Sequence, residues 1–523
     1  MIAATGIAAS EHEAQGGHMA PRSKPRDTAL CLNEDDSHYF FSRAGKRLTP
    51  ADVDSWVDQY AGTQVRELLL CPNCMRTSYA SKVWDPIWRG YDPTGPDDQP
   101  LLASLPAADR KGVRGWVHTA WQLDQDGIDV YTRWIARARE RGISPWITMR
   151  MNDVHNVDDE KAYIHSEFWR ANPQFRRTPD RFHSWVDRAF DYLHHEVREY
   201  HMALVKELIE RYDFDGFELD WMRFGFHFRP GHEAEGAEVL TEFTREVRRL
   251  LDRAGRKRGR RLKLSARVPS RPATALGLGM DAIEWARRGL VDMLVVTPFW
   301  ASAETDMPIE VWRGLLHGTK TLLASGLEVL LRPHPDARKM SLNTLKTVRG
   351  MASSFLDRGV DRVYLFNYFD SDTAMGDLAN YGALLRECGR AETLAGKPRR
   401  HVVTFADTWA PGEPAAYALP RDGAPGAHLA FRVHIGPQPA GAPVELRLGV
   451  SGAQEADVAK WEVRLGRVRA TFAGKATAEE PWPDAPVYAF HPADGSMLRG
   501  YNLVEVIPTS GGRIEWVEIA VGG

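Results

Sequence analysis

The stretch FDGFELDWM, residues 214–222, combines a short apolar run with two carboxylates two positions apart, Glu218 and Asp220. Its length and composition are typical of a buried β-strand. Side chains at i and i+2 of a strand point to the same side, so both acids face one way while Phe217 and Leu219 face the other. The stretch therefore predicts a strand with one acidic side, which faces a polar pocket.

Eight runs of strand length occur along the chain, and most are preceded by an amphipathic helical stretch. They cover residues 28–36, 65–73, 144–153, 214–222, 262–270, 292–300, 327–335 and 362–370. Strands that alternate with helices indicate a parallel sheet, and eight such units indicate a closed barrel. The sequence therefore predicts the α/β class with a (β/α)8 TIM barrel.

Nearly every one of these runs begins apolar and ends polar. The polar or aromatic residues near the ends include Arg150, Asn152, Asp153, Glu218, Asp220, Arg267, Thr297, Trp300, Arg332, His334, Asn367, Tyr368 and Asp370. A barrel of this kind places its active site at the carboxyl ends of its strands. We expect these side chains to meet on one rim.

The sequence pattern changes after about residue 395. Helical periodicity stops, and short β-rich runs separated by Gly, Pro and Asp follow, such as PVELRLGV at 443–450 and RIEWVEIAV at 513–521. This pattern is typical of an antiparallel β-sandwich. We therefore expect a disordered N-terminal segment (1–26), a barrel (27–395) and an accessory β-sandwich (396–523) that packs on the barrel helices.

The charge and cysteine content argue against nucleic acid and against zinc as partners. Sixty-seven basic and 70 acidic residues give a formal charge of -3, which does not favour nucleic acid. Cys71 and Cys74 form one CxxC pair, without the second pair or nearby histidine of a zinc site. No run approaches ~18 apolar residues and the N-terminus lacks the pattern of a signal peptide. We expect a cytoplasmic protein without membrane association, metal or cofactor.

The stretch 214–222 resembles sequence motifs of two glycoside hydrolase families. It is similar to the D-G-x-D-x-D-x-E of chitinases at Asp215, Gly216, Glu218 and Asp220, with Met222 in place of the last Glu. It also resembles the D-G-F-R-x-D of alpha-amylases, in which Asp220 matches the nucleophile. Over most of residues 27–390 the chain resembles uncharacterised bacterial barrel proteins described as glycoside hydrolase-like. The resemblance implies hydrolysis of glycosidic bonds in an unidentified glycan.

Glycoside hydrolysis takes one carboxylate on each side of the scissile bond. Glu218 and Asp220 point in parallel and would raise each other's pKa unless a cation intervenes. We therefore assign Asp220 as nucleophile or base and Glu218 as its organiser, paired with one of three arginines, Arg150, Arg267 or Arg332. On this assignment Glu218→Gln leaves a buried cation unpaired, which costs about 3 to 5 kcal/mol of stability.

The general acid is expected across the rim from Asp220. Glu304 is the first choice, because it follows the sixth strand behind an aromatic residue; Asp153, Asp336 and Asp370 are the alternatives. Aromatic side chains at strand ends can stack on pyranose rings. The expected substrate-binding residues are Trp221, Trp300, Tyr368, Arg150, Arg267, Arg332, Asn152, His334 and Asn367.

Two other functions stay open. Met222 in place of the chitinase acid favours a non-catalytic carbohydrate-binding barrel. His155 and His334, near Asp153 and Asp336, would instead suit a metal-dependent hydrolase, although neither an H-x-H nor an H-E-x-x-H motif accompanies them.

Overall fold

The computed structural model describes residues 26–371, 375–437 and 441–522. The expected disorder of residues 1–26 falls almost entirely outside this range.

Eight parallel strands close into a barrel, which confirms the predicted (β/α)8 architecture. The strands from the amino terminus are β1 (Ala29–Glu34), β2 (Val65–Leu70), β3 (Ser144–Arg150), β4 (Gly216–Asp220), β5 (Lys263–Pro269), β6 (Met293–Thr297), β7 (Leu322–Glu328), the hairpin strands β8 (Leu330–Leu331) and β9 (Ser341–Leu342), and β10 (Arg362–Phe366), the eighth barrel strand. β10 pairs with β1 and so closes the cylinder.

The helices lie mostly between the barrel strands. They are α1 (His38–Ser42), α2 (Pro50–Asp58), α3 (Ala107–Gln125), α4 (Val130–Glu140), α5 (Glu167–Ala171), α6 (His195–Arg211), α7 (Glu233–Arg258), α8 (Pro272–Gly277), α9 (Ala282–Arg287), α10 (Ile309–Leu315), α11 (Leu345–Arg358), α12 (Tyr381–Glu387), α13 (Ala391–Leu394) and α14 (Glu455–Val458). Short 3-10 turns cover Pro173–Phe175, Trp185–Arg188 and Leu378–Asn380. Within the described ranges, none of the helices has the length and apolar character needed to cross a bilayer.

The C-terminal domain is an antiparallel β-structure, as predicted. Its strands are β11 (Arg399–Val402), β12 (Arg421–Gly423), β13 (Leu429–His434), β14 (Val444–Ser451), β15 (Glu462–Leu465), β16 (Val468–Lys475), β17 (Val487–Pro492), β18 (Tyr501–Ile507) and β19 (Gly512–Val521). The domain packs on α11, where His434 Nδ1 lies 3.0 Å from Ser354 Oγ. An added Cβ at Gly350 of α11 would lie 2.0 Å from the Arg400 carbonyl oxygen, so only glycine allows this approach.

The barrel register sorts the inward-facing residues into layers. Thr148, Glu218 and Ser265 are register partners in one layer, and Arg150, Asp220 and Arg267 are partners in the next layer towards the carboxyl ends. Below them, an added Cβ at Gly216 would lie 2.2 Å from the Trp146 ring, so the indole fills the floor of the barrel. Glu218 and Asp220 therefore do face inwards, as their alternation predicts.

Candidate active site at the carboxyl ends of the barrel strands

We use the term barrel mouth for the residues at and just after the carboxyl ends of the strands that face the barrel axis. Arg150, Asp220, Arg267, Glu328 and Phe366 belong to it by strand register, and Arg223 and Asn367 by their contacts with Phe366 and Glu328.

Glu218 lies one layer below the mouth and is fully buried. Its carboxyl accepts hydrogen bonds from Thr148 Oγ1 at 2.8 Å, Tyr364 OH at 2.7 Å and Ser265 Oγ at 3.0 Å. Burial raises its pKa to about 7, and the charge of Asp220 contributes. The expectation that Glu218 pairs with an arginine is wrong, because its own layer supplies hydroxyl groups and no arginine pairs with it among the described residues.

One of the three arginines predicted as partners of Glu218, Arg267, pairs with Asp220 instead. Arg267 Nη1 lies 3.0 Å and 3.2 Å from the two carboxylate oxygens of Asp220. The Arg267 guanidinium is fully buried and its Cζ lies 3.7 Å from the centroid of the Phe366 ring. The backbone N–H of Met222 donates a further hydrogen bond, 3.0 Å long, to Asp220. Asp220 is thus an ion-paired carboxylate at the mouth.

Glu328, the last residue of β7, is a buried mouth carboxyl that sequence reasoning missed. Its Oε1 accepts hydrogen bonds from Val329 N at 2.9 Å and from Asn367 Nδ2 at 3.2 Å. Its Oε2 is buried without a hydrogen-bond partner among the described residues. Burial raises its pKa to about 7, against the opposing effect of Arg223 and Arg267. Glu328 therefore combines a raised pKa with a buried oxygen that has no hydrogen-bond partner among the described residues.

The seventh strand was predicted over 327–335, but β7 runs from 322 to 328. With the predicted bounds, Glu328 is the second residue of the strand and not its last. With the observed bounds, Glu328 is the polar residue that ends the strand, as the pattern of polar strand ends predicts. Asn367, which was predicted to bind substrate, contacts this glutamate and has a left-handed backbone with φ of 63°.

Arg150 and Asp153 belong to an ion-pair cluster at the edge of the mouth. Arg150 Nη1 lies 2.8 Å from Asp36 and 3.2 Å from Asp153, and Nη2 lies 3.5 Å from Asp35. Burial would raise the pKa of Asp153, but His155, 2.8 Å away, and Arg150 hold it below its usual range. Asp153 is therefore unsuited to donate a proton at neutral pH.

Arg223 follows β4 and extends across the mouth. Its Nη2 lies 3.3 Å from His155 Nε2, and its Cζ lies 5.3 Å from the centroid of the Phe366 ring. Arg223 forms no ion pair with a carboxylate in the described part of the chain, and its Nε has no hydrogen-bond partner there. Hydrogen bonds from Asn152 N to the Arg223 carbonyl and from Phe224 N to the Asn152 carbonyl fix this loop.

The aromatic residues at the mouth are not the predicted ones. Trp221 is fully buried against Tyr192 and Phe243, and Tyr368 is fully buried with its OH 3.3 Å from the Glu328 carbonyl oxygen. Neither offers a free ring face, which corrects their predicted stacking role. Trp300 keeps 44% of its surface exposed, so its predicted role stays open.

Three other rings form what we call the aromatic wall, Trp185, Phe224 and Phe299. Ring centroids lie 5.2 Å apart for Trp185 and Phe224, and 5.4 Å apart for the stacked pair Trp185 and Phe299. The wall adjoins the mouth, because Phe224 follows Arg223 directly and its ring lies 5.0 Å from His155. Trp185 and Phe299 are partly exposed and can contact a ligand.

Glu304, the first choice for the general acid, has its partners away from this cluster. Glu304 accepts a 2.5 Å hydrogen bond from Ser270 Oγ and lies 2.8 Å from Arg271 Nη1. Burial raises the pKa of Glu304 to about 7, and the acids that add to this effect are Asp407 and Asp306. Glu304 as the general acid therefore stays a prediction.

Asn152 does not fit the predicted role in substrate binding. Its amide donates to the carbonyls of Phe190 and Phe226, both at 3.0 Å, and its oxygen accepts from Phe190 N at 2.8 Å. The side chain thus serves to hold two loops together.

Arg332 and His334 lie against the C-terminal domain. The Arg332 Cζ is 5.9 Å from the Phe405 ring, and His334 lines a cavity with Trp482 and Arg513. His334 and Asp336 are therefore separate from the His155–Asp153 pair.

Asp370, an alternative acid, is bound to Arg43 at 2.8 Å. In the described ranges no three His, Cys, Asp or Glu side chains are arranged to hold a metal ion.

No protein-family model matches the chain, and no curated protein matches it significantly. Solved structures that resemble it are TIM-barrel glycoside hydrolases. Alpha-L-fucosidase isoenzyme 2 from Paenibacillus thiaminolyticus aligns over 69% of this chain with 12% identity and a TM-score of 0.39; this chain covers 48% of that protein, about half its length.

Two further structures show the same range of likeness. The maltogenic alpha-amylase AmyB from Thermotoga neapolitana aligns over 92% of this chain and 98% of its own, with 12% identity and a TM-score of 0.36. The PgaB (BpsB) glycoside hydrolase domain from Bordetella bronchiseptica aligns over 70% of this chain and 99% of its own, with 10% identity and a TM-score of 0.38. Barrels this distant host many functions, so the activity has to be inferred from the mouth itself.

Proposed function

We propose that the chain is a glycoside hydrolase in which Asp220 and Glu328 are the two reacting carboxylates. The observation that carries this proposal is that a buried, partly unpartnered carboxyl and an ion-paired carboxylate project from β7 and β4 into one mouth. β4 and β7 lie three strands apart around the barrel. Groups on separate strands can flank a glycosidic bond, which the parallel neighbours Glu218 and Asp220 cannot do.

The environments of the two groups suggest different roles. Burial raises the pKa of Glu328 to about 7, so a substantial fraction of the carboxyl carries a proton near neutral pH and can act as general acid. Asp220 forms an ion pair with Arg267 at 3.0 Å, an arrangement suited to a nucleophile or base. Both Asp220 and Glu328 raise the pKa of Arg267 against the opposing effect of burial. The two carboxyls therefore lie around the same guanidinium. Glu304 has different charged neighbours and is the second choice for the acid.

The proposed reaction uses these groups in one sequence. Glu328 transfers its proton to the glycosidic oxygen as the bond from that oxygen to the anomeric carbon breaks. The electron pair leaves with the oxygen, and positive charge develops at the anomeric carbon and ring oxygen. Asp220 then acts in one of two ways. It takes a proton from the water that attacks the anomeric carbon, or it bonds to the anomeric carbon itself, and water that gives its proton to Glu328 then breaks this bond and frees Asp220. The aromatic wall stacks against the sugar ring.

The test is a panel of 4-nitrophenyl glycosides and oligosaccharides with and without a chelator. We expect cleavage that is insensitive to chelator, is abolished in Asp220→Asn, and falls by about 10²- to 10⁴-fold in Glu328→Gln. Sugar binding without cleavage by the folded wild type would instead support a carbohydrate-binding barrel, and sensitivity to chelator would support a metal-dependent hydrolase.

Glu304→Gln, assayed in parallel, decides between the two acids. A large loss of activity in Glu304→Gln with wild-type rates in Glu328→Gln would refute the assignment of Glu328. Melting temperatures of all variants show whether a loss of activity reflects a loss of fold.

A further inference from the structure

Two buried arginines of the barrel mouth, Arg223 and Arg267, have N–H donors that the acids of the mouth do not accept from. Arg223 is only 6% exposed, and among the described residues its side chain has one hydrogen bond, to His155. Arg267 binds Asp220 through Nη1 alone, and its Nε and Nη2 have no hydrogen-bond partner among the described residues. Three buried guanidinium nitrogens of these two arginines, Arg223 Nε and Arg267 Nε and Nη2, therefore lack an acceptor among the described residues.

Buried arginines elsewhere in the described ranges show how the chain normally accommodates them. Arg362 donates two hydrogen bonds to Glu67, and Arg400 donates two to Glu518. Arg76, which has no carboxylate partner, donates to the backbone carbonyls of His165 and Arg89. Among the residues that the structure describes, Arg223 has neither a carboxylate partner nor a backbone carbonyl partner. A buried charge without a partner is costly, which suggests that the partner of Arg223 is a bound molecule.

The acids of the mouth do not supply this partner. Asp220 is occupied by Arg267, and Asp153 by Arg150 and His155. Glu328 raises the pKa of Arg223, but the two side chains form no ion pair among the described residues. Burial favours the neutral form of Glu328. The neighbours that face Arg223 from β3 and β5, Arg150 and Arg267, are positive. Both of these arginines have carboxylate partners, so an incoming anion would meet one guanidinium, that of Arg223, which no carboxylate of the described residues pairs with.

The surroundings also indicate where the anion would be. Arg223 and Arg267 both lie over the Phe366 ring, at 5.3 Å and 3.7 Å from its centroid. Phe224, next to Arg223, belongs to the aromatic wall. A guanidinium edge is suited to two-point binding of a planar carboxylate, and the wall is suited to a sugar ring. Both surfaces adjoin the carboxyl pair Asp220 and Glu328.

We propose that the sugar bound beside Asp220 and Glu328 carries an anionic substituent, a carboxylate of the uronic acid type, that accepts hydrogen bonds from Arg223. This inference rests on the proposed function and names its substrate class. A sulfate ester offers the same charge with a different shape, and the experiment separates the two.

Binding is measured by calorimetry with wild-type protein and free monosaccharides. The probes are D-glucuronate, D-galacturonate, D-mannuronate and L-iduronate, the matching neutral hexoses, and D-glucose 6-sulfate. We expect at least one uronate to bind at least about tenfold more tightly than its neutral counterpart, as a charge-assisted hydrogen bond would give. A preference for the sulfate alone would overturn the carboxylate assignment. Equal or weaker binding of all uronates, or none, would overturn the proposal.

Two substitutions test whether Arg223 is responsible. Arg223→Met should remove the preference for the uronate and leave neutral-sugar binding in place, while Arg223→Lys should keep part of the preference. Arg223→Met removes an unpaired buried charge, so it should not lower the melting temperature. Arg288, which is exposed and pairs with Glu284 on α9, gives the matched control Arg288→Gln, with binding unchanged.

The two proposals fail in different ways. If Arg223→Met weakens uronate and neutral-sugar binding equally, the arginine is structural and this inference is refuted. If uronate binding depends on Arg223 but no glycoside is cleaved, the hydrolase proposal is refuted. If neutral glycosides are cleaved and uronates show no preference, the hydrolase proposal stands and this inference falls.

Discussion

Replacement of Glu218 by glutamine should stabilise the protein, and increasingly so as the pH rises. Glu218 is fully buried and has a pKa raised to about 7 by burial, with Asp220 adding to the effect. A glutamate in an unfolded chain has a pKa of about 4.3. Between these two values the unfolded state loses its proton while the folded state keeps it, so the folded state loses stability relative to the unfolded state.

The size of the effect follows from the two pKa values. Below about pH 4 both states hold the proton, and Glu218 costs the folded state nothing. Each further pH unit costs about 1.4 kcal/mol, until the penalty levels off near pH 7 at about 3 to 4 kcal/mol. Glutamine resembles the protonated acid and does not titrate. Its oxygen can accept from Thr148 and Tyr364, and its amide can donate to Ser265 if that hydroxyl rotates.

The assay is urea unfolding of Glu218→Gln and wild type from pH 5 to pH 8. The variant's advantage in unfolding free energy should grow by about 2 to 3 kcal/mol over this range. Glu67→Gln is the matched control, because it removes a buried glutamate that Arg362 binds with two hydrogen bonds, and it should destabilise the protein at pH 8. A Glu218→Gln variant that is less stable than wild type at pH 8, as the arginine-paired interpretation predicts, would refute this reasoning.

The remaining predictions concern Glu328 and the interior of the barrel. Glu328→Gln should slow glycosides with poor leaving groups by about 10²- to 10⁴-fold and 2,4-dinitrophenyl glycosides far less, because a good leaving group needs no proton; equal losses would contradict the acid role. Wild-type kcat should fall as the pH rises through about 7, where Glu328 loses its proton, and constant kcat up to pH 9 would argue against it. Gly326→Ala should cost about 1 to 3 kcal/mol in thermal unfolding, because the new Cβ would lie 2.3 Å from Thr297 Oγ1, while Gly314→Ala in α10, with open space around it, should not destabilise; equal effects would contradict this account.

The sequence predicts the barrel well because its signal is repeated eight times. Apolar runs that end in polar residues, separated by helices, leave few alternatives to a parallel closed sheet. The same alternation also predicts which way Trp221 faces. Trp221 follows Asp220 by one position and so belongs to the face of Phe217, which points away from the barrel axis. Its burial could have been predicted from the period of two.

The error at β7 has a different origin. The strand LLASGLE (322–328) contains Ser325 and Gly326, which lower strand propensity, while the following LEVLLRPHP (327–335) is richer in branched apolar residues. The glycine is present because Thr297 of the neighbouring strand fills the space of a side chain. A tertiary contact thus overrides local propensity. The partner of Arg267 is likewise a property of barrel register, which a single strand does not show.

Four carboxyls that face the barrel interior differ in how completely the fold satisfies them. Glu67 has both oxygens bound to Arg362, Glu218 has three hydroxyl donors, and Asp220 has Arg267 and a backbone N–H. Glu328 differs from these three, because one of its oxygens is buried with no partner among the described residues. A fold that satisfies three interior acids and leaves the fourth open at its mouth keeps a hydrogen-bonding position for something else. The open oxygen distinguishes Glu328 from Glu218, whose pKa is raised as far, and it is the reason to look for the proton donor at the end of β7.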